Sequence, residues 1–157
     1  MNGESPVSEG RKVPRILAIC IHNSARSQMT EEFIRACAGD RVHVESAGIE
    51  PGTINPMVAE LLLEDGIDIR EKETRSVFDL HKRGSAFDYV IAVCDPEAAE
   101  RCPIFPAEQA RLHWPFPDPS KAEGNHKEKL AAIRPIRDEI RRTVRSFLAQ
   151  ELGIQDC

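Results

Sequence analysis

A chain of 157 residues has room for one domain whose sheet is covered on both faces by helices, and not for a second full domain. Net charge is −5, and basic residues are scattered except between Arg134 and Arg145, which argues against a nucleic-acid surface. No apolar run approaches a membrane span and the N-terminus lacks the hydrophobic segment of a signal peptide, so a cytoplasmic protein is expected.

Residues 1–14 are polar and aperiodic and read as a flexible tail, leaving 15–152 as the domain. Ile16-Leu17-Ala18-Ile19 reads as a buried strand, and Met29, Phe33, Ile34 and Cys37 recur at helical spacing over Gln28 to Ala38. Between them lies Cys20-Ile21-His22-Asn23-Ser24-Ala25-Arg26-Ser27. In a strand, tight loop, helix arrangement the loop N–H groups and the first helical turn converge on one spot, where the helix dipole also favours an anion. Cys20 stands at the entrance of this oxyanion cradle, and Arg26 can supply a planar fork for two oxygens of a tetrahedral anion. The same groups, with a hydroxyl hydrogen bond from Ser27, favour a charged, nucleophilic sulfur. The plainer alternative makes Cys20 a buried strand-end residue and Arg26 a solvated one. The cradle is preferred because the arginine, the small polar loop residues and the helix start occur together.

Val42 to Ser46 alternates as a second strand, and Ala47 to Thr53 is a glycine-bearing loop. Asn55 caps a helix that Pro56 opens and Gly66 closes, and Thr74 to Lys82 reads as a short helix. Phe87 to Cys94, the longest apolar run, is a central strand. Asp95 to Arg101 has the composition for about two turns of helix before Pro103 and Pro106 interrupt. Leu112-His113-Trp114 is a last short strand and Pro115 to Pro119 a stiff loop. Lys127 to Leu152 is a long amphipathic helix with Leu130, Ile133, Ile136, Arg137, Ile140, Val144, Phe147 and Leu148 along its face. This alternation implies an α/β domain with a parallel sheet of about four strands and helices on both faces. Such sheets bind ligands beyond the carboxyl ends of their strands, where Cys20, Cys94 and Asp118 fall.

Five cysteines at uneven spacing suggest redox or nucleophilic chemistry before a disulfide scaffold. Cys37 and Cys157 look incidental, one on a helix face and one at the terminus.

Taken together, the Cys-x-x-Asn-Ser-x-Arg-Ser-Gln-Met loop, Glu45-Ser46-Ala47-Gly48, Gly66-Ile67-Asp68-Ile69, Asp88-Tyr89-Val90-Ile91 with Cys94, Cys102-Pro103, His113-Trp114, Asp118-Pro119 and Arg137-Asp138-Glu139-Ile140 resemble a thioredoxin-coupled arsenate reductase of the low-molecular-weight tyrosine phosphatase fold. The resemblance implies that Cys20 attacks arsenate held by the loop amides, Ser24, Arg26 and Ser27, while Asp118 gives a proton to the leaving oxygen. It implies that Cys94 then displaces arsenite from Cys20, that Cys102 moves the disulfide to Cys94–Cys102, and that thioredoxin, the external reductant, reopens it. Asn23 and Ser46 support the loop. No other cofactor and no nucleic-acid or membrane partner is expected.

The chain departs from the family pattern at two places. Relatives often hold potassium between the loop asparagine, a helix glutamate, the serine of Ser-Ala-Gly and an aspartate after the second helix. Asn23, Glu31 and Ser46 match, but Arg75-Ser76 stands in the aspartate's region, which argues against a tight site. Cys94 and Cys102 are also one position further apart than in the best-matching relatives. Two rival readings are a tyrosine phosphatase that uses only Cys20, Arg26 and Asp118, and a non-catalytic arsenite or zinc sensor built on Cys94, Cys102 and His113. The phosphatase lacks an evident aromatic wall near Asp118. The sensor leaves Arg26 unexplained, and His113 beside Trp114 reads more readily as a packed strand residue.

Overall fold

The computed structural model describes residues 13–94 and 107–157. Cys102 and the expected Asp95 to Arg101 helix lie outside these residues, as does all but the end of the N-terminal tail. Four strands form one parallel sheet in the order β2-β1-β3-β4: β1 Arg15–Cys20, β2 His43–Gly48, β3 Phe87–Ala92 and β4 Ala107–His113. The helices are α1 Arg26–Ala38, α2 Pro56–Leu63, α3 Val77–Lys82 and α4 His126–Leu152, with short 3-10 turns at Gly39–Arg41 and Pro119–Lys121. None of the described helices is long and apolar enough to cross a membrane.

The central strand β1 carries the two-residue alternation of a sheet buried on both faces. Ile16 and Cys20 join the core that α1, α2 and α4 cover, whereas Leu17 and Ile19 join Val77 and Leu80 of α3 on the other face. Helix α2 starts as expected, with Asn55 accepting from the N–H groups of Met57 and Val58 and Pro56 at the first position. Helix α3 begins later than expected because the Ser76 side chain caps it. A capping box of Asn125 and Glu128 opens α4, and Pro135 inside it lies on the exposed face.

Two expectations are corrected. Strand β4 is not confined to Leu112-His113-Trp114 but begins at Ala107 and ends before Trp114. It is an edge strand with exposed Glu108, Gln109 and Arg111, so it lacks the apolar pattern that marks a buried strand. Cys37 and Cys157 are not incidental: they are joined as a disulfide, with Cα atoms 4.9 Å apart. Gly153, at φ +68°, ends α4 and turns the tail back, Ile154 is buried, and Asp156 pairs with Arg41 at 3.0 Å. The tail thereby brings Cys157 to α1 across a separation of 120 residues, which no local pattern reveals.

Candidate active site

Cys20 is the last residue of β1, and the chain leaves the sheet there because α1 must begin six residues later. Its sulfur faces the Ser27 hydroxyl at 2.9 Å and accepts the Asn23 backbone N–H at 3.2 Å. Helix α1 starts two residues before its apolar periodicity does, so Arg26 and Ser27 lie in its first turn. Ala25 at its N-cap gives no side-chain hydrogen bond, and the first turn holds no acidic residue. No side-chain cap and no acidic residue therefore competes with the loop for the positive dipole end of this helix.

Asn23 fixes the loop's shape. Its φ of +56° places it in the left-handed region, which asparagine tolerates better than most residues. Its Nδ2 donates to Ser27 Oγ at 2.7 Å and to Ser46 Oγ at 2.9 Å, and its Oδ1 accepts from Gln28 Nε2 at 3.1 Å and the Arg75 N–H at 2.9 Å. Ser46 Oγ in turn donates to Glu31 Oε1 at 2.5 Å. A Cys20 thiolate can only accept, so in that state Ser27 Oγ, which already accepts from Asn23, gives its proton to the sulfur. Gly48 closes the loop from below: a Cβ there would lie 2.8 Å from backbone atoms of Ile21, His22 and Asn23.

Glu31 is only 2 % exposed. Burial opposes its charge, but Lys72, Ser46 and Arg35 outweigh that and hold its carboxyl below the usual range. Lys72 Nζ stands 2.9 Å from Glu31 Oε1 and 2.5 Å from Glu32 Oε2, and Arg35 Nη2 stands 2.5 Å from Glu31 Oε2.

Arg26 is buried, and its Nη1 donates to the Phe116 carbonyl at 3.1 Å. Trp114 stacks edge-on against Phe116 and against Phe147 of α4, which seats the proline loop over the cradle. On that loop Asp118 Oδ2 lies 3.7 Å from Arg26 Nη2, and its Oδ1 accepts from the N–H and hydroxyl of Ser120 at 2.9 and 2.8 Å. Partial burial of Asp118 raises its pKa, yet the Ser120 bonds and the charges of Arg26 and Lys121 prevail and hold it below the ordinary aspartate value.

The structure thus brings Cys20, Asn23, Arg26, Ser27, Ser46 and Asp118 together. Ser24 contributes its carbonyl to the Asn55 N–H at 2.9 Å, joining the loop to the start of α2. Cys94 lies fully buried two residues beyond β3, in the same core cluster as Cys20. His113 at the end of β4 has its Nε2 2.6 Å from the Cys94 carbonyl, and among the described residues no three His, Cys, Asp or Glu side chains form a metal-binding group. Sequence reasoning missed Lys72, Gln28 and the Arg75 N–H. Gln28 and Gly48 stood within the quoted motifs, whereas Lys72 carries no local signal because its partners lie on α1.

Three comparisons bear on this site. Residues 15–155 match the family model of the low molecular weight phosphotyrosine protein phosphatases. Proteins named arsenate reductase from Halalkalibacterium halodurans and Bacillus subtilis are 42% and 39% identical to this chain, each over 132 residues, 84% of this chain and 93% of the relative. The solved thioredoxin-dependent arsenate reductase of Corynebacterium glutamicum superposes with a TM-score of 0.63 at 30% identity, over 91% of this chain and 66% of that one. On the matched span and the site it contains, the chain belongs to the low-molecular-weight phosphotyrosine protein phosphatase family.

Proposed function

We propose that this chain is a cytoplasmic, thioredoxin-coupled arsenate reductase. The observation that carries the reading is a second buried cysteine, Cys94, just beyond the strand that pairs with β1, next to an anion loop headed by Cys20. Phosphoester hydrolysis uses one such sulfur; reduction of an oxyanion needs two electrons, which a pair of thiols supplies. The names of the bacterial relatives support the same substrate, and the name of the Corynebacterium protein supports thioredoxin as reductant.

In the first step the Cys20 thiolate attacks the arsenic of arsenate, and one oxygen leaves as water. The loop amides, Ser24 and Arg26 hold the remaining oxygens, and the proton on the leaving oxygen comes from Asp118. Asp118 is ionised at neutral pH in the free protein. An arriving oxyanion draws the Arg26 fork to itself and places negative charge beside Asp118, and both effects favour its protonation. Cys94 then attacks the Cys20 sulfur. The S–As electron pair passes to arsenic, As(V) becomes As(III), arsenite departs and a Cys20–Cys94 disulfide remains. Cys102 attacks Cys94, which frees Cys20 and moves the disulfide to Cys94–Cys102. A thioredoxin dithiol reduces that bond and becomes a disulfide itself.

The test is arsenate turnover with thioredoxin, thioredoxin reductase and NADPH. Cys20→Ser should lower it at least about 10³-fold, since a hydroxyl near neutrality is a far poorer nucleophile than a thiolate. Cys94→Ser and Cys102→Ser should each stop turnover yet leave a weak hydrolysis of p-nitrophenyl phosphate that needs only Cys20, Arg26 and Asp118. Thioredoxin-dependent arsenate reduction that persisted in both later variants would remove Cys94 and Cys102 from the mechanism, and phosphoester hydrolysis by a native chain that does not turn over arsenate would hand the site to the phosphatase reading.

A further inference from the structure

Glu31 is a buried carboxylate one hydroxyl away from the loop that holds Cys20. The family resemblance implies a potassium site made of an asparagine, a glutamate, a serine and an aspartate. Three of the four residues meet here, but they do not present themselves as ligands. Asn23 turns its NH₂ group, a donor, toward Ser46, while its Oδ1 is taken by Gln28 and the Arg75 N–H. Ser46 gives its proton to Glu31. Where the aspartate is expected, Arg75 pairs outward with Glu45 at 2.9 Å, and Ser76 caps α3. A metal cation needs convergent lone pairs, and the group found on Glu31 Oε1, the oxygen that Ser46 also meets, is instead the ammonium of Lys72, with the Arg35 guanidinium on Oε2.

We propose that Lys72 supplies, as a covalent part of the chain, the positive charge that a bound monovalent cation would otherwise provide, and that it is a positioning residue for the Cys20 loop. The inference rests on the reductase reading only where turnover is measured. Its physical basis is the direction of the hydrogen-bond chain. A carboxylate can only accept, so an ionised Glu31 compels Ser46 to donate to it and leaves Ser46 as an acceptor for Asn23. Asn23 then spends its second N–H on Ser27, which keeps its own proton available for a Cys20 thiolate 2.9 Å away. The arrangement needs Glu31 charged, yet a bare negative charge there would oppose a thiolate at Cys20. Lys72 serves both requirements on the oxygen nearest the loop, keeping the carboxylate ionised and offsetting its field, while the half-exposed Arg35 holds the other oxygen. Lys72 comes from the segment between α2 and α3, so it also ties that segment to α1 through Glu31 and Glu32.

The experiment compares the native chain, Lys72→Ala, Lys72→Arg and the double variant Lys72→Ala/Glu31→Gln in potassium chloride and in choline chloride at equal ionic strength. It reads thermal unfolding without arsenate, and arsenate kcat/KM separately. The native chain and Lys72→Arg should give the same values in both salts. Lys72→Ala in choline should lose about tenfold in kcat/KM and unfold at lower temperature, with potassium restoring much of both. The double variant should ignore potassium, since the neutral amide that replaces the carboxylate makes no demand for a cation. The proposal is overturned if the native chain itself responds to potassium over choline, if Lys72→Ala matches the native chain in both salts, or if its loss is not recovered by potassium. Should Lys72→Ala fail to fold in choline, its folding in potassium and the flat response of the native chain carry the same decision. If no variant reduces arsenate while the unfolding pattern holds, the substrate reading fails and the role of Lys72 stands.

Discussion

Among the described residues, two charge networks are each centred on a buried group, one beneath the Cys20 loop and one between α2 and α4. In the second, Arg137 is 6 % exposed and donates to the Leu61 carbonyl at 3.2 Å and to Glu64 at 2.9 Å, with Asp138 at 2.9 Å and Asp65 at 3.5 Å. Arg141 also pairs with Asp65, and Arg134 with Glu64. In the first, Glu31 is the buried member and Lys72 and Arg35 answer it. Each network neutralises a charge that burial would otherwise make costly. They differ in what the last member touches. The Arg137 network ends on a carbonyl at the end of α2 and holds two helices together. The Glu31 network ends, through the neutral groups of Ser46, Asn23 and Ser27, on the sulfur of Cys20. Under the proposed function, the same ion-pair chemistry is structural where it meets backbone and functional where it reaches the Cys20 sulfur.

Three changes sharpen this contrast. Arg137→Ala removes the buried donor to the Leu61 carbonyl, while Asp65 keeps Arg141, and Glu64 and Asp138 face solvent, so it should cost about 1–3 kcal/mol of stability, the scale for leaving a buried polar group unmet. Urea unfolding measures it, and arsenate kcat/KM of the folded fraction should be unchanged; a fall in kcat/KM beyond the folded fraction would tie this network to the site after all.

Asn23→Ala should reverse the pattern. It removes the donor to both Ser27 and Ser46 and leaves an alanine at φ +56°, so kcat/KM should drop by roughly 10–100-fold, as for other residues that orient a reactive group. Stability should fall by about 1–3 kcal/mol, the cost of leaving buried polar groups unmet. Steady-state kinetics beside urea unfolding separates the two, and a loss of stability without a kinetic loss would make Asn23 a structural residue only.

The smallest effect concerns pH. Glu31 is held below the ordinary glutamate value of 4.5 despite its burial, by Lys72, Ser46 and Arg35. A lowered folded-state pKa means that its contribution is complete above 4.5 and is lost as pH falls below that value through the folded one. The urea midpoint of the native chain should therefore decline with acidification in this window, and Glu31→Gln should flatten the decline. Glu64 is lowered to about 2 by its bonds to Arg134 and Arg137, but it faces solvent. Glu64→Gln should flatten the curve less, because water screens an exposed pair. An equal or larger change from Glu64→Gln would show that burial does not separate the two networks.

The sequence by itself determined what short-range physics controls. Apolar runs at period two marked β1 and β3, and the Asn55-Pro56 signal located α2. The spacing of Cys20, Arg26 and Ser27 announced an anion loop because a strand end, six residues and a helix start leave little freedom in where those side chains point. Tertiary structure decided the rest. The pairing of Cys37 with Cys157, of Lys72 with Glu31 and of Arg26 with Asp118 joins residues 120, 41 and 92 positions apart, and periodicity carries no information about such contacts. The extent of β4 depended on its place at the sheet edge, where one neighbour suffices to hold a strand of mixed polarity. That the Asp118 pKa falls below its ordinary value despite partial burial follows from Ser120 and Arg26, which only the folded loop brings to it.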